Sequence, residues 1–414
     1  MKRSELIRLA ELIYAERETS RADLTLKTRL ASGYITSLVR RLQKLKWVIE
    51  GARLPSDAGR RKVLLHMNPD LAHVIGIEIG RIHSRIVVTD FLGKVLSFKK
   101  LRAEAFRGAE CILKRVHLEI DKCLSRDQSI RGIGVAISAM IDHDSGTVLK
   151  WSKISGWRDV QLKRVIAEKY RLTTVVEDSA RAAAVAERRF GQGIGQDSFV
   201  YVQAGLGIGA AIFVDGRLCY GQKGIAGELG HMTINEAGPL CSCGNRGCLE
   251  VYASGASIIE KVREALEKGV ASSLRELHAH NHRRLSLEEI ALAAESHDRL
   301  CEIVVSEAGT HLGVALASIV NLLNPARIVL GGTLFRVTKD LLCEPLRRAL
   351  WSRALPASVS QLEILVSELG EEAAAVGVAI LTSKQLLDEF CASIQRDGHL
   401  LHDATKVGHT IASK

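Results

Sequence analysis

The 414-residue chain has no unbroken apolar run near the ~18 residues that a membrane span needs. Its opening stretch, "MKRSELIRLAELIYAERETS", breaks its apolar positions with charges every few residues, so the apolar core of a signal peptide is missing as well. A disulfide framework is also lacking: the cysteines number nine, and six of them, Cys111, Cys123, Cys219, Cys301, Cys343 and Cys391, stand alone. These absences point to a reducing compartment, the cytoplasm, and to no membrane partner. What remains is ample for a core. With 47% hydrophobic and 25% charged residues, the chain reads as a soluble globular protein with room for two or three domains.

The net charge of +10 is unevenly spread: residues 1–65 hold 15 Lys or Arg against 7 Asp or Glu, on a nearly neutral remainder. A basic end suggests an anionic polymer, most simply nucleic acid. Leu6, Leu9, Ala10 and Ile13 recur at helical spacing, and Ser20 is placed to cap a second helix. A third helix after Ser32 sets Ile35, Leu38, Val39 and Leu42 on one face, with Tyr34, Thr36, Ser37, Arg40, Arg41 and Lys44 opposite. Together with Ser32, these form the face that a helix-turn-helix lays in the major groove. After Trp47, "VIE" and "VLLHM" read as two strands around the loop "GARLPSDAGRRK", a wing whose Arg53, Arg60, Arg61 and Lys62 suit phosphates or the minor groove. A small helical subdomain with a solvated basic face fits the charge alone. The agreement of charge, helices and wing favours DNA.

From Val74 onward, "VIGIEIG", "RIVVTD" and "VLSF" resemble a strand meander. Strands at "GIGVAI" (132–137), "TVVE" (174–177) and "FVYVQA" (199–204) then alternate with helical stretches at 158–169 and 180–190, which indicates an α/β body. Near the other end, "VALASIVNLLNP" reads as a helix, "ARIVLGG" as a strand, and "LEILVSELGEEAAAVGVAILT" as strand, turn and helix. Beyond Thr382 a polar, loosely held tail is expected. The boundaries drawn this way are 1–70, 71–382 and 383–414. Gly205, Gly207 and Gly209 in "AGLGIGAA" lie between two strands, where bare amides suit a phosphate and where a tight turn with positive φ is an equal alternative. "EIGRIHSR", after the first strand, is a second candidate phosphate loop.

His231, Cys241, Cys243 and Cys248 fall within 18 residues, spaced by Gly238, Gly244 and Gly247. Four nitrogen and sulfur donors with no open position suit a closed, structural zinc site, which would also fix whatever Glu228 and Glu250 face. Reduced structural cysteines beside a core histidine are the alternative.

The segment "GQKGIAGELGHMTINEAGPLCSCGNRGCLEVYASG" closely resembles the ROK family, which groups bacterial sugar kinases and sugar-responsive repressors. "NLLNPARIVLGG", "ISGWRDVQLKRVI" and "ELGEEAAAVGVAIL" extend the likeness from about Val74 to Thr382, and the N-terminal segment with "AGRRKVLLHMNPD" resembles the head of the repressor branch. The resemblance implies a winged helix-turn-helix followed by an actin-like ATPase (ribonuclease H-like), two-lobed ROK domain. It implies zinc on the four residues just named and a sugar site between the lobes.

It also implies that this chain is not a kinase. The family's kinases carry Asp-x-Gly-Gly-Thr-Lys, where this chain has Glu78, Gly80, Arg81, Ile82 and His83. They carry Glu-Asn-Asp-Ala-Asn, where "EDSAR" puts Ser179 at the position of the base and Arg181 after it; Leu206 replaces a usual threonine. Loss of a positioned general base costs about 10²- to 10⁴-fold. Glu228, His231 and Glu250 match the family's sugar-binding residues, Asp178 and Ser179 stand where further hydroxyl contacts are made, and "ISAMID" lacks the family's Pro-Gly. The expected partners are a pseudo-palindromic DNA operator, a sugar or sugar derivative, and a second copy in a homodimer or homotetramer.

Overall fold

The computed structural model describes residues 2–54, 62–103, 108–151, 154, 156–276 and 285–396. They divide into two compact units. One comprises the chain to Ala136, Gln161–Val176 and the chain from Ala375; the other comprises Ile137–Val160 and Glu177–Ala374. No cut falls at residue 70 or 71.

In the first unit, α1 (Lys2–Glu16), β1 (Thr19–Ser20), α2 (Arg21–Thr28) and α3 (Ser32–Lys44) precede a hairpin of β2 (Val48–Leu54) and β3 (Lys62–Met67). Ser20 caps α2 reciprocally: its hydroxyl accepts from the Asp23 amide, and the Asp23 carboxylate accepts from the Ser20 amide. Arg29 ends the helix in the left-handed region at φ 58. The short β1 pairs with β3 on the side away from β2, and a bulge between Glu50 and Arg53 bends the hairpin.

The same unit holds a five-stranded sheet in the order β11-β7-β4-β5-β6, from β4 (His73–Ile79), β5 (His83–Thr89), β6 (Val95–Arg102), β7 (Ile130–Ile137) and β11 (Thr173–Asp178). Six of seven residues of β4 are buried, which suits its central place and explains the near-continuous apolar run "VIGIEI". Helix α4 (Ala109–Arg126) connects β6 to β7, and α5 (Leu162–Tyr170) leads into β11.

The last helix, α13 (Ala373–Arg396), carries the chain well past Thr382, where a polar tail was expected. Leu386, Leu387 and Cys391 are buried in one cluster with Leu6, Ile13, Leu38 and Trp47 of the N-terminal helices. Tyr14 packs edge-on to Phe91 and donates to the Ile380 carbonyl at 3.2 Å, and Trp47 lies 6.0 Å from Phe390. Interleaved Lys384, Gln385, Asp388 and Glu389 mask this apolar stripe when the sequence is read linearly.

The second unit contains a small antiparallel sheet of β8 (Met140–Asp142), β9 (Thr147–Lys150) and β10 (Arg158–Val160). The helix expected over 158–169 therefore starts only at Leu162, because Arg158 and Val160 pair with Lys150 and Val148. A second five-stranded sheet runs β14-β13-β12-β15-β16, from β12 (Phe199–Ala204), β13 (Ile208–Val214), β14 (Arg217–Leu218), β15 (Arg327–Gly331) and β16 (Glu363–Val366). In both sheets an antiparallel three-strand meander lies on one side of its own first strand, and two later strands lie on the other. This doubled plan is the one implied by the actin-like resemblance.

Helices α6 (Ser179–Phe190), α7 (Glu250–Ala253), α8 (Gly255–Glu267), α9 (Leu287–Glu295), α10 (Arg299–Leu323), α11 (Thr333–Trp351) and α12 (Pro356–Val359) complete this unit. Among the described residues, α10 alone is long and apolar enough to cross a membrane. The linear reading, which sought an unbroken apolar run, passed over it because Glu302, Glu307 and His311 interrupt it. Its Val305, Leu312, Leu316 and Val320 lie in the unit's core, and Gly313 lets α11 approach so closely that a Cβ would lie 2.3 Å from the Leu346 carbonyl.

Candidate metal centre and effector site

The chain from Glu228 to Glu250 is drawn together by two isolated bridges, Thr233 to Cys248 and Leu240 to Arg246. Within it, the Cys241 amide donates to Asn245 and the Gly244 amide donates back to Cys241, a tight knuckle in which Gly244 adopts φ 103. Gly247, at φ 64, has no room for a side chain: a Cβ would lie 1.6 Å from the Asn235 carbonyl oxygen. These constraints bring one ligand atom each from His231, Cys241, Cys243 and Cys248 within 4.8 Å of one another. The Cys243 and Cys248 sulfurs are 3.7 Å apart, too far for a disulfide, and Cys241 Sγ is 3.7 Å from His231 Nδ1. A tetrahedral zinc with Zn–S of about 2.3 Å requires edges of about 3.8 Å, so this donor set fits such an ion.

His231 faces two ways. With Nδ1 toward Cys241, its Nε2 lies 3.9 Å from Glu228. That separation is longer than a hydrogen bond, so His231 sets the cysteine cluster beside the acidic one without bonding to it.

Asp178 ends β11 and caps α6, its carboxylate accepting from the Ala180 and Arg181 amides at 2.9 and 3.2 Å. Ser179 is wholly buried, and its hydroxyl has no hydrogen-bond partner among the described residues. Burial pushes the Asp178 carboxyl up against the pull of Arg181. Burial also pushes Glu228 up to about 7, with Asp178 and Glu250 adding repulsion and Arg181 opposing it. Glu228 nonetheless keeps a side-chain accessibility of 41%, so water at the carboxylate moderates that push. Glu250 accepts from the Ile208 amide at 3.3 Å. The five residues predicted for the effector thus lie in the second unit, where Asp178 and Glu250 act on the Glu228 charge and His231 lies 3.9 Å from Glu228.

The glycine loop between β12 and β13 is not the positive-φ turn that was one of the alternatives drawn from sequence. None of Gly205, Gly207 and Gly209 has positive φ. What Gly207 provides is space, since a Cβ there would lie 2.9 Å from Glu250 Oε2. The Glu250 carboxylate accepts from the amide of Ile208, the first residue of β13. In the first unit, Glu78 of the degenerate first loop is only 7% exposed and ion-paired with Arg85 at 2.8 Å.

Sequence reasoning missed Glu177, His143 and Tyr220, and noted Arg181 only as a replacement. Arg181 Nε donates to Glu177 at 2.7 Å, and His143 stacks on Tyr220 at 3.7 Å. The i, i+4 spacing of Glu177 and Arg181 was a usable signal; nothing local marked His143.

On α3, Ser32, Ser37, Arg40 and Lys44 are exposed, Thr36 and Arg41 partly so, while Ile35, Leu38, Val39 and Leu42 are buried. Arg40, Arg41 and Lys44 make no ion pair among the described residues. Tyr34 departs from the expected outward role, since its hydroxyl donates to Glu5 of α1. Lys62 pairs with Asp23 at 2.8 Å, and Arg60 and Arg61 lie outside the described residues. Gly33 adds bare backbone at the exposed start of α3: a Cβ there would meet nothing within 4 Å, so no internal contact requires glycine.

The pattern of the ROK family matches residues 74–385. The chain belongs to the ROK family. It is 30% identical to the xylose repressor of Caldicellulosiruptor bescii, over 89% of this chain and 92% of that one. It superposes with a TM-score of 0.77, at 27% identity, on a ROK family transcriptional regulator described as a homologue of the Escherichia coli Mlc protein, covering 95% of this chain and 98% of that one. A ROK glucokinase from Streptomyces griseus, solved with glucose and AMPPNP, gives a TM-score of 0.67 at 28% identity, over 75% of this chain and 99% of that one.

Proposed function

We propose that this ROK protein is a sequence-specific transcriptional regulator, a repressor, controlled by a sugar or sugar derivative. The observation that carries the reading is α3: a helix with a wholly apolar inner face whose outer face holds hydroxyls, Arg40 and Lys44 without ion-pair partners among the described residues, and bare backbone at Gly33. In this reading residues 1–70 form a winged helix-turn-helix, α3 enters the major groove, and Arg53, Arg60 and Arg61 follow the backbone. Likeness along nine-tenths of the chain to a xylose repressor, against three-quarters to a glucokinase, supports it.

The effector is held by Asp178, Ser179, Glu228, His231 and Glu250, whose carboxyl groups exchange hydrogen bonds with sugar hydroxyls. A zinc ion on His231, Cys241, Cys243 and Cys248 would supply no chemistry beyond a rigid frame, which carries His231 beside Glu228. In this reading the chain does not phosphorylate its sugar, because Ser179 stands where the kinases carry their carboxylate base and its hydroxyl makes no hydrogen bond among the described residues. Effector binding regulates by favouring one conformation over another, a coupling of typically about 1–3 kcal/mol. A homodimer or homotetramer presents two heads to a pseudo-palindromic operator in the cytoplasm.

The test is to sequence genomic fragments captured by the purified protein and titrate sugars against the tightest. A palindromic site released or tightened by one sugar is expected. Binding that is weak, unspecific and steeply salt-dependent contradicts the reading, as does sugar-dependent ATP turnover, which belongs to the kinase alternative.

A further inference from the structure

We propose that Cys243 and Cys248 are an oxidation site: a hydroperoxide converts the pair to a disulfide, which withdraws two donors from the metal centre and makes the protein responsive to oxidants. Formation of that bond is independent of what the neighbouring carboxylates bind. Its effect on the effector rests on the reading of Glu228 as an effector ligand.

Of the nine cysteines, Cys219 and Cys243 are the exposed ones, and Cys219 lies outside the four-donor cluster. Cys243 stands in a run of five exposed residues, 242–246, and its sulfur is 3.7 Å from that of the wholly buried Cys248. Cys241 is buried as well, and its sulfur lies against His231 Nδ1. An oxidant from solvent therefore meets Cys243 first, and the sulfur placed to answer it is that of Cys248. An exposed cysteine beside a resolving partner is the arrangement of a redox sensor.

A disulfide of about 2.05 Å requires the two sulfurs to approach by about 1.7 Å. The Cys248 side is held: Gly247 is pressed on the Asn235 carbonyl, Cys248 bridges to Thr233, and the Leu249 amide donates to the Met232 carbonyl at 2.9 Å. The Cys243 side has room, since a Cβ on Gly244 would meet nothing within 4 Å. The exposed turn thus moves and the buried strand waits.

The nucleophile is the thiolate, the form in which a cysteine ligates zinc. The Cys243 thiolate attacks one peroxide oxygen and the O–O bond breaks, giving a sulfenic acid and hydroxide. The Cys248 thiolate then attacks the Cys243 sulfur and expels a second hydroxide, closing the disulfide. In sum, two thiolates, one hydrogen peroxide and two protons give one disulfide and two waters. The cluster keeps only His231 and Cys241, too few to hold a structural zinc. An exposed disulfide in a reducing compartment is readily cleaved by cellular thiols, so the change is reversible. Without the ion, His231 is no longer fixed beside Glu228.

The experiment treats the zinc-loaded full chain with hydrogen peroxide in the absence of reductant. A chromogenic chelator follows zinc release, and mass spectrometry maps the linkages. One zinc released per Cys243 to Cys248 disulfide is expected, at a dose that leaves the buried Cys301, Cys343 and Cys391 reduced. The amides of Ile234, Gly247 and Leu249, hydrogen-bonded within the loop, should lose protection from hydrogen exchange, and dithiothreitol with added zinc should restore it. Zinc retained after Cys219 has been oxidised overturns the proposal, as does Cys243 oxidised to the sulfinate with no link to Cys248. Cys219→Ser is expected to respond as the parent does; loss of zinc release in this variant moves the sensor to Cys219 and also overturns it. Xylose, glucose and N-acetylglucosamine are titrated calorimetrically against the reduced and oxidised chains. A sugar that binds the reduced chain should bind the oxidised one at least about tenfold more weakly. Equal affinities overturn the effect on the effector, and failure of all three sugars to bind the reduced chain overturns the effector reading, while the disulfide is judged on zinc release.

Discussion

Replacing Arg40 and Lys44 by alanine tests the DNA-binding face most directly. Both side chains are exposed on α3 and neither makes an ion pair among the described residues, so folding stability should change by no more than about 0.5 kcal/mol. On duplex DNA each neutralised phosphate contributes about −0.9 to the slope of log K against log salt. Removing two such contacts should flatten the slope by about 1.8. Between 50 and 200 mM salt, a fourfold change, the affinity lost by the parent protein should then exceed that lost by the variant by about tenfold. Fluorescence anisotropy with a labelled operator at four or five salt concentrations reads the slope, and urea unfolding checks stability. An unchanged slope in a normally folded variant would refute the docking of α3, whatever happened to affinity at one salt concentration.

Other expectations concern metal, core and pH. Cys241→Ser should abolish stoichiometric zinc, measured by elemental analysis, and weaken sugar binding through the His231 to Glu228 contact; zinc retained at full occupancy would contradict the ligand set. Leu42→Ala removes a wholly buried side chain of α3 and should cost about 2–5 kcal/mol by denaturant unfolding. Asp298 caps α10; although burial opposes its ionisation, bonds from Ser272, Ser273 and the Cys301 amide hold its pKa at about 2. A folded pKa below the unfolded one stabilises above the unfolded value and is lost as pH falls toward the folded one, so the roughly 2 kcal/mol involved should be present at pH 6 and fade between about pH 4 and 2. The stability gap between parent and Asp298→Asn should shrink over that window; a constant gap would assign the cost to packing.

Legibility followed the range of the interactions. Periodicity in α3 and the run in β4 are local patterns, and both appeared where the sequence placed them. The donors of the metal cluster were legible because all four fall within 18 residues. The start of the final helix was legible too, but its continuation past Thr382 was not, since the apolar side there packs on N-terminal helices more than 330 residues away in the chain. β10 was hidden for the same reason: three residues become a strand only when β9 supplies their hydrogen bonds.

Composition, short-range spacing and motif were enough to indicate an α/β ROK protein with a basic helical head, a four-donor cluster and a serine in place of the kinase base. Only the tertiary structure decided how those residues are used. It turned Tyr34 toward Glu5 and Lys62 toward Asp23, spread the Glu250 carboxylate over a glycine loop, and boxed Arg181 against Glu177 under a tyrosine. The physical reason is that a charge or a hydroxyl is defined by its partners. Burial sets the cost of leaving such a group unpaired, and the partners come from chain segments whose meeting no local pattern encodes.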